Sequence, residues 1–128
     1  MACPACDGNL VAFGVPAALR EHAPDDASTA AICVDCLRTF PVDDGDAALD
    51  DPDFDAVHPA VPDGEAGVAL ALVCGKLESL ALNRAAIEEL LAYAEAHGAD
   101  IHLFFDRLEA PDAAFDVARR RDELLDLR

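Results

Sequence analysis

Four of the five cysteines form two close pairs, each with two residues between its members. Cys3 and Cys6 lie in the stretch MACPAC, and Cys33 and Cys36 lie in CVDC, with 26 residues between the pairs. A two-residue spacing lets a tight turn direct both sulfur atoms at one ion, and backbone amides of the turn can donate hydrogen bonds to the thiolates. Two such turns supply four thiolates, the tetrahedral ligand set of a structural zinc site. We therefore expect these cysteines to bind Zn²⁺, with iron as the alternative occupant of the same ligands.

A redox-active pair is the other interpretation of CPAC. Such a pair lies at the N-terminus of a helix that follows a buried strand, because the helix dipole there lowers the pKa of one thiol. Only two residues precede Cys3, which leaves no room for that strand, so metal ligation is favoured. Cys74, in LALVCGKL, is expected to be a small buried core residue.

The remaining residue types suggest no catalytic site. His22, His58, His97 and His102 stand in no metal-binding motif, and His22 is the one most able to lie beside the cysteines. The sequence has no glycine-rich phosphate loop and no recognisable pairing of a nucleophile with a base. We therefore assign no catalytic residue and expect a non-enzymatic protein.

The charge balance is strongly acidic and poor in lysine. The chain has 26 acidic and 9 basic residues, a net charge of -17, and Lys76 is its single lysine. An Asp-rich, Lys-poor surface holds water and cations in concentrated salt, so a halophilic protein is expected. The acidity disfavours nucleic acid as a partner, but only mildly in such a background, because salt screens long-range fields.

The only basic cluster is Arg119–Arg121. Successive helix residues point in directions about 100° apart, so the three arginines fan out instead of forming one patch. Acidic neighbours can pair with them. The sequence shows no signal peptide and no apolar run long enough to cross a membrane, so a cytoplasmic protein without membrane contact is expected.

Three regions follow one another along the chain. Residues 1–42 alternate the cysteine pairs with strand-like segments at 9–16, 29–33 and 37–42 and a short helix at 16–23. Residues 43–63 hold eight aspartates and three prolines, which indicates an acidic linker or surface loop. Residues 64–128 have helical periodicity and form the predicted helical domain.

The helical region predicts three or four helices. The segment 65–82 is apolar on almost every side, which is typical of a helix buried by several neighbours. Asn83 is a candidate N-cap for a second helix that stops at Gly98. Residues 101–105 fit either a third helix, capped by Asp100, or a buried strand. A last helix is expected over 111–127.

The stretches CPACDG and CVDCLRTF resemble a zinc ribbon, a β-hairpin module closed by two CxxC knuckles. Asp7 stands where glycine often follows the second cysteine of this family, with Gly8 one position later. The acidic composition makes the chain similar to small haloarchaeal zinc-ribbon proteins of unknown function. The resemblance covers the N-terminal third and implies structural zinc but no activity.

Together these observations predict an α+β fold: a small N-terminal zinc β-ribbon and a C-terminal bundle of three or four helices. The favoured function is a non-enzymatic adaptor or protein-binding module, with another protein as its partner. A transcription-associated nucleic-acid-binding ribbon and an enzyme with an unrecognised site are the alternatives. The apolar helix at 65–82 makes a homodimer plausible, because so short a chain has few elements to cover it.

Overall fold

The computed structural model describes residues 2–42 and 53–126, except for the side chain of Leu125. These residues form three β-strands followed by four α-helices. The fold is α+β, as predicted, with a small antiparallel sheet in the N-terminal region and helices in the C-terminal region. Of the predicted acidic segment 43–63, residues 43–52 lie outside the described residues, and the division into ribbon, linker and helical domain stays a prediction.

The sheet has three antiparallel strands in sequence order: β1 (Leu10–Gly14), β2 (Thr29–Cys33) and β3 (Thr39–Pro41). The central strand β2 is buried along its whole length. Its last residue, Cys33, pairs with Leu10 of β1, so the second cysteine pair begins where the strand ends. The turn between β2 and β3 therefore carries Cys33 and Cys36, as the sequence predicted.

The connection from β1 to β2 is helical but tighter than an α-helix. Two 3₁₀ turns, Ala17–His22 and Pro24–Asp26, occupy the region of the short helix expected at 16–23. Leu19 is buried and anchors the first turn against the core. The chain thus returns from the end of β1 to the start of β2 within a compact segment.

Four α-helices follow: α1 (Gly64–Lys76), α2 (Leu80–Ala96), α3 (Ile101–Arg107) and α4 (Val117–Asp126). Nine consecutive residues of α1, from Ala66 to Cys74, are buried, as expected for a helix that is apolar on all sides. Two of its glycines allow close approach: a Cβ at Gly67 would overlap the Pro62 carbonyl oxygen, and one at Gly75 would overlap Thr39 of β3.

The predicted helix over 65–82 is interrupted. It ends at Lys76, a 3₁₀ turn covers Leu77–Ser79, and α2 starts at Leu80. The expectation that Asn83 caps the second helix is wrong, because Asn83 lies inside α2. Its side-chain amide donates to the carbonyl oxygens of Lys76 (3.4 Å) and Ser79 (3.0 Å), so Asn83 stabilises the bend between the helices.

The two later helices begin at aspartate caps. Asp100 accepts a hydrogen bond from the Leu103 N–H at 3.0 Å, and residues 101–105 are helical, which excludes the strand alternative. The last helix begins at Val117, later than the predicted 111, because Asp116 accepts from the Arg119 N–H at 3.1 Å and starts the helix there.

One hydrophobic core joins the sheet to the helices. Phe13 of β1 packs on Phe54, with ring centroids 5.7 Å apart, and both belong to the cluster that contains the buried face of α1. A second, smaller cluster lies at the other end of the sheet and consists of Cys3, Cys33 and Cys36, with Leu10 and Phe40 packed against it. The sheet therefore connects the helical core to the cysteines.

Candidate metal centre

The first cysteine turn is closed by three hydrogen bonds. The Cys3 N–H donates to the Gly8 carbonyl oxygen at 2.7 Å, and the Asp7 N–H donates to the Cys3 carbonyl oxygen at 2.9 Å. The Ala5 N–H lies 3.4 Å from the Cys3 sulfur and donates to it. This geometry directs the Cys3 sulfur into the turn.

The second cysteine turn repeats the same three hydrogen bonds. The Cys33 N–H donates to the Arg38 carbonyl oxygen at 2.9 Å, and the Leu37 N–H donates to the Cys33 carbonyl oxygen at 3.1 Å. The Asp35 N–H donates to the Cys33 sulfur at 3.4 Å. Each bond joins the same relative positions as in the first turn, so the chain builds the same cysteine loop twice.

The residue after the second cysteine of each pair has a left-handed backbone. The φ angle is 64° at Asp7 and 62° at Leu37. Glycine adopts this conformation most easily, and aspartate tolerates it better than other residues do. Asp7 therefore fills the position at which the sequence departs from the usual glycine without changing the conformation of the turn.

The four sulfur atoms form a compact group. All four lie within 4.8 Å of one another, with the Cys3 and Cys36 sulfurs 3.7 Å apart and the Cys6 and Cys33 sulfurs 3.4 Å apart. These separations are far from a disulfide bond length of about 2.0 Å. With Zn–S bonds of about 2.3 Å, tetrahedral geometry places sulfur atoms about 3.8 Å apart. The donor set and its spacing therefore fit a tetrahedral metal ion.

Three of the four cysteines of the site are buried, and one is exposed to solvent. Cys3, Cys33 and Cys36 are buried, whereas Cys6 is exposed. Gly8 permits this packing, because a Cβ there would lie 2.9 Å from the Cys33 sulfur and 2.5 Å from an Asp35 carboxylate oxygen. A side chain at position 8 would force the Asp35 carboxylate and the Cys33 sulfur to shift.

Burial and hydrogen bonding give the cysteine thiols of the site different pKa values. Burial raises the pKa of Cys33 to about 12 and also raises the pKa of Cys36. Burial also acts to raise the pKa of Cys3, but hydrogen bonds from the N–H groups of Ala5 and Cys6 and from the Cys36 and Cys33 thiols together outweigh it, and the pKa falls to about 7. A metal ion that binds here must displace protons from the buried thiols.

The comparisons with known proteins identify one family. The model of a family of unknown function, DUF6276, matches residues 2–128. The chain belongs to this family. No curated protein and no solved structure matches it. The matched range includes both cysteine pairs and all four described helices, so the possible metal site lies within the DUF6276 unit.

In this DUF6276 chain, Cys74 and His22 lie outside the four-sulfur group and have other contacts. Cys74 is buried within α1, as expected, and burial raises its pKa to about 12. His22, the histidine expected nearest to the cysteines, instead contacts two carboxylates: its Nε2 lies 2.9 Å from Glu89 and 3.7 Å from Glu21. Sequence reasoning had no signal for this cluster, because α2 supplies Glu89 through tertiary packing.

None of the three other histidines belongs to the four-sulfur group among the described residues. His58 Nδ1 accepts from the Ala60 N–H at 3.0 Å, and His97 Nε2 lies 2.9 Å from a Glu65 carboxylate oxygen. His102 is exposed on α3. These positions agree with the expectation of structural or surface roles.

The basic cluster 119–121 is largely engaged within the chain. Arg120 donates to the Leu77 carbonyl oxygen at 2.7 Å and also contacts Glu123, which holds α4 against the bend between α1 and α2. Arg119 lies 3.2 Å from Glu123, and Arg121 lies 3.8 Å from Asp106. Within residues 2–42 and 53–126, moreover, no helix has both the length and the apolarity needed to span a membrane.

Proposed function

We propose that this chain is a non-enzymatic protein-binding module whose N-terminal region is a zinc ribbon. The observation that carries the proposal is the four-thiolate group, with three of its four cysteines buried. Four protein ligands complete a tetrahedral shell and leave no position for water or substrate, which is the pattern of structural zinc sites. The metal then serves the fold, and function belongs to the protein surface.

Zinc is the proposed occupant, with iron as the alternative. Both metals accept four thiolates in a tetrahedral arrangement, and hard cations such as magnesium and calcium prefer oxygen. When bound, zinc would supply no redox chemistry. Cys3 and Cys6 would hold the N-terminal turn to the β2–β3 turn through Cys33 and Cys36.

A protein partner fits the surface better than nucleic acid. The ribbon region offers Arg38 beside the metal turn, and Glu78 already pairs with its guanidinium at 3.2 Å. Recognition of nucleic acid relies on unpaired basic side chains, with stacking aromatics for single strands. The net charge of -17 adds repulsion of phosphate.

The proposal places this adaptor in a halophilic cytoplasm. Its support is the sequence composition: 26 acidic residues against 9 basic ones, with a single lysine. The resemblance to small haloarchaeal zinc-ribbon proteins points the same way. Sedimentation of the metal-loaded chain tests the homodimer that the sequence predicts.

Two measurements on the native protein test the proposal. Elemental analysis of protein purified without added metal should give one zinc or iron per chain. Affinity capture at high salt, followed by a binding titration with each purified candidate, should yield a partner that binds the metal-loaded chain. Purified protein without a thiolate-bound metal would contradict the ribbon, and failure of every titration would contradict the adaptor role.

A further inference from the structure

We propose that a cleft beside the start of α2 binds an acidic peptide segment that carries an apolar side chain. This inference rests on the proposed protein-binding function and names its surface and partner chemistry. The cleft has a volume of about 410 Å³, and its walls include Leu82 and Arg84 from α2, Arg119, Arg120 and Glu123 from α4, and Glu78 from the bend. We call it the arginine cleft.

Leu82 is the apolar anchor of the arginine cleft. Its exposed fraction is 88%, and the only other large hydrophobic residue exposed among those described is Leu103, at 43%. Leu82 stands in the first turn of α2, a helix whose other leucines are buried. Covering it with an apolar side chain would remove from water a surface that the chain itself leaves uncovered.

Two arginines of the cleft, Arg84 and Arg119, have exposed N–H donors that a partner can reach. Arg84 is exposed, and its side chain forms no hydrogen bond or ion pair within the described part of the chain. Arg119 meets Glu123 through its Nε, yet 76% of its side chain is exposed. A guanidinium has five N–H donors and recognises carboxylates with paired hydrogen bonds, so both can bind acidic side chains of a partner.

Arg120 fixes the shape of the cleft. Its Nε donates to the Leu77 carbonyl oxygen at 2.7 Å, and its Nη1 meets Glu123 at 3.1 Å. Only 22% of its side chain is exposed. Arg120 therefore holds α4 against the bend and leaves recognition to Leu82, Arg84 and Arg119.

Charge selects the class of partner. The cleft gathers three of the nine basic residues of a chain with net charge -17, so an acidic segment finds its complement here and repulsion over much of the remaining surface. The lining holds no aromatic side chain on which bases could stack. A peptide is therefore favoured over a nucleic acid.

The test uses the full metal-loaded chain and synthetic peptides of twelve residues. One series places a central leucine among aspartates and glutamates, a second replaces the acids by lysine, and a third replaces the leucine by serine. Fluorescence anisotropy at fixed salt measures each affinity. The acidic peptide with leucine should bind best, and Leu82→Ser or Arg84→Gln should weaken its binding about tenfold or more.

Matched controls come from α3. Leu103→Ser and Arg107→Gln change the same residue types at exposed positions outside the cleft, so the affinity of the acidic peptide should stay unchanged. Circular dichroism and metal content confirm that all four variants fold. Equal losses in the α3 variants, or equal binding of the lysine peptides, would overturn the inference.

Other occupants give distinguishable results. An oligonucleotide that binds more tightly than the acidic peptide would replace the peptide as ligand and overturn the inference. A dimer that Leu82→Ser dissociates would assign the cleft to a second copy, with the same consequence. A natural partner that binds the Leu82→Ser/Arg84→Gln chain as well as the native chain would reject the cleft and leave the adaptor role intact. Absence of any partner for the native chain would reject the adaptor role.

Discussion

Arg38 joins the second cysteine turn to Glu78 at the bend between α1 and α2. Its Nε and Nη2 each lie 3.2 Å from one of the two carboxylate oxygens, so the pair forms a two-pronged ion pair. The Arg38 carbonyl oxygen also accepts a hydrogen bond from the Cys33 N–H at 2.9 Å. One residue therefore contacts a cysteine of the candidate metal site through its backbone and the helical region through its side chain.

Replacing Glu78 should weaken metal binding from a distance. Glu78→Gln removes the charged partner of Arg38, and the turn that presents Cys36 loses an anchor. Mutation of a residue that hydrogen-bonds to a metal-ligating residue typically lowers metal affinity about 10-fold or more. The Arg38–Glu78 pair is exposed, so its loss should lower the affinity by about 10-fold or less. Competition with a chromophoric chelator measures the affinity. Glu88→Gln, at an exposed position of α2 without an ion pair to described residues, should change nothing; equal effects would show that Glu78 acts only through net charge.

Removing one ligand should abolish the metal site. Cys33→Ser takes away a buried sulfur that receives the Asp35 N–H, and three thiolates cannot close the tetrahedral shell. Structural zinc contributes about 10 kcal/mol or more of folding free energy in small zinc domains. We therefore expect metal-free protein with a disordered N-terminal region, seen by elemental analysis and amide hydrogen exchange. Cys74→Ala should keep its metal, because Cys74 lies inside α1. If only the Cys74→Ala chain lost its metal, the assignment of Cys33 as a ligand would be wrong.

Metal affinity should fall as the pH falls. Burial raises the pKa of Cys33 to about 12 and raises that of Cys36, so both thiols are protonated in the metal-free site near neutral pH and release protons when metal binds. Each proton released raises the apparent Kd about tenfold per unit drop in pH, or about 100-fold for two. Below the Cys3 pKa of about 7 a third proton adds to the slope. Chelator competition from pH 6 to 9 measures this slope, and a flat profile would contradict thiolate ligation.

The sequence predicted the parts of the fold that depend on local patterns. The two CxxC spacings identified four residues whose sulfur atoms do lie together, and the apolar run after Gly64 predicted a helix that is buried on all sides. The Asp100 cap also followed from the local sequence. These features need only neighbouring residues to form.

Features that depend on distant contacts were missed or misplaced. Asn83 has the composition of a helix cap, but its amide is drawn to the carbonyl oxygens of the preceding bend, so the helix boundary moved to Leu80. The pairing of His22 with Glu89 and that of Arg38 with Glu78 join residues far apart in sequence. No periodicity encodes them, because they arise when the helices pack against the N-terminal region.

Stability should rise with salt. A net charge of -17 makes the folded chain repel itself, and the Debye length falls to about 3 Å in 1 M salt, which screens most of that repulsion. We expect the thermal unfolding midpoint of the metal-loaded protein to increase with KCl up to molar concentrations. Sodium chloride at the same ionic strength serves as a control for a specific potassium effect. A midpoint that does not move with either salt would reject the halophilic interpretation.

Substitutions at Asp7 test whether the left-handed backbone of the first cysteine turn determines which residues it tolerates. Asp7 has a φ of 64°, which costs an ordinary side chain about 1–2 kcal/mol and glycine almost nothing. Asp7→Gly should therefore keep or slightly raise the free energy of unfolding of the metal-loaded chain, whereas Asp7→Val should lower it by about 1–2 kcal/mol. Asp35, two residues after Cys33, has no positive φ, so Asp35→Gly should destabilise the chain through backbone entropy. Denaturant titration gives all three values. Equal destabilisation by glycine at positions 7 and 35 would contradict this explanation, because it would show that the left-handed backbone at position 7 does not favour glycine.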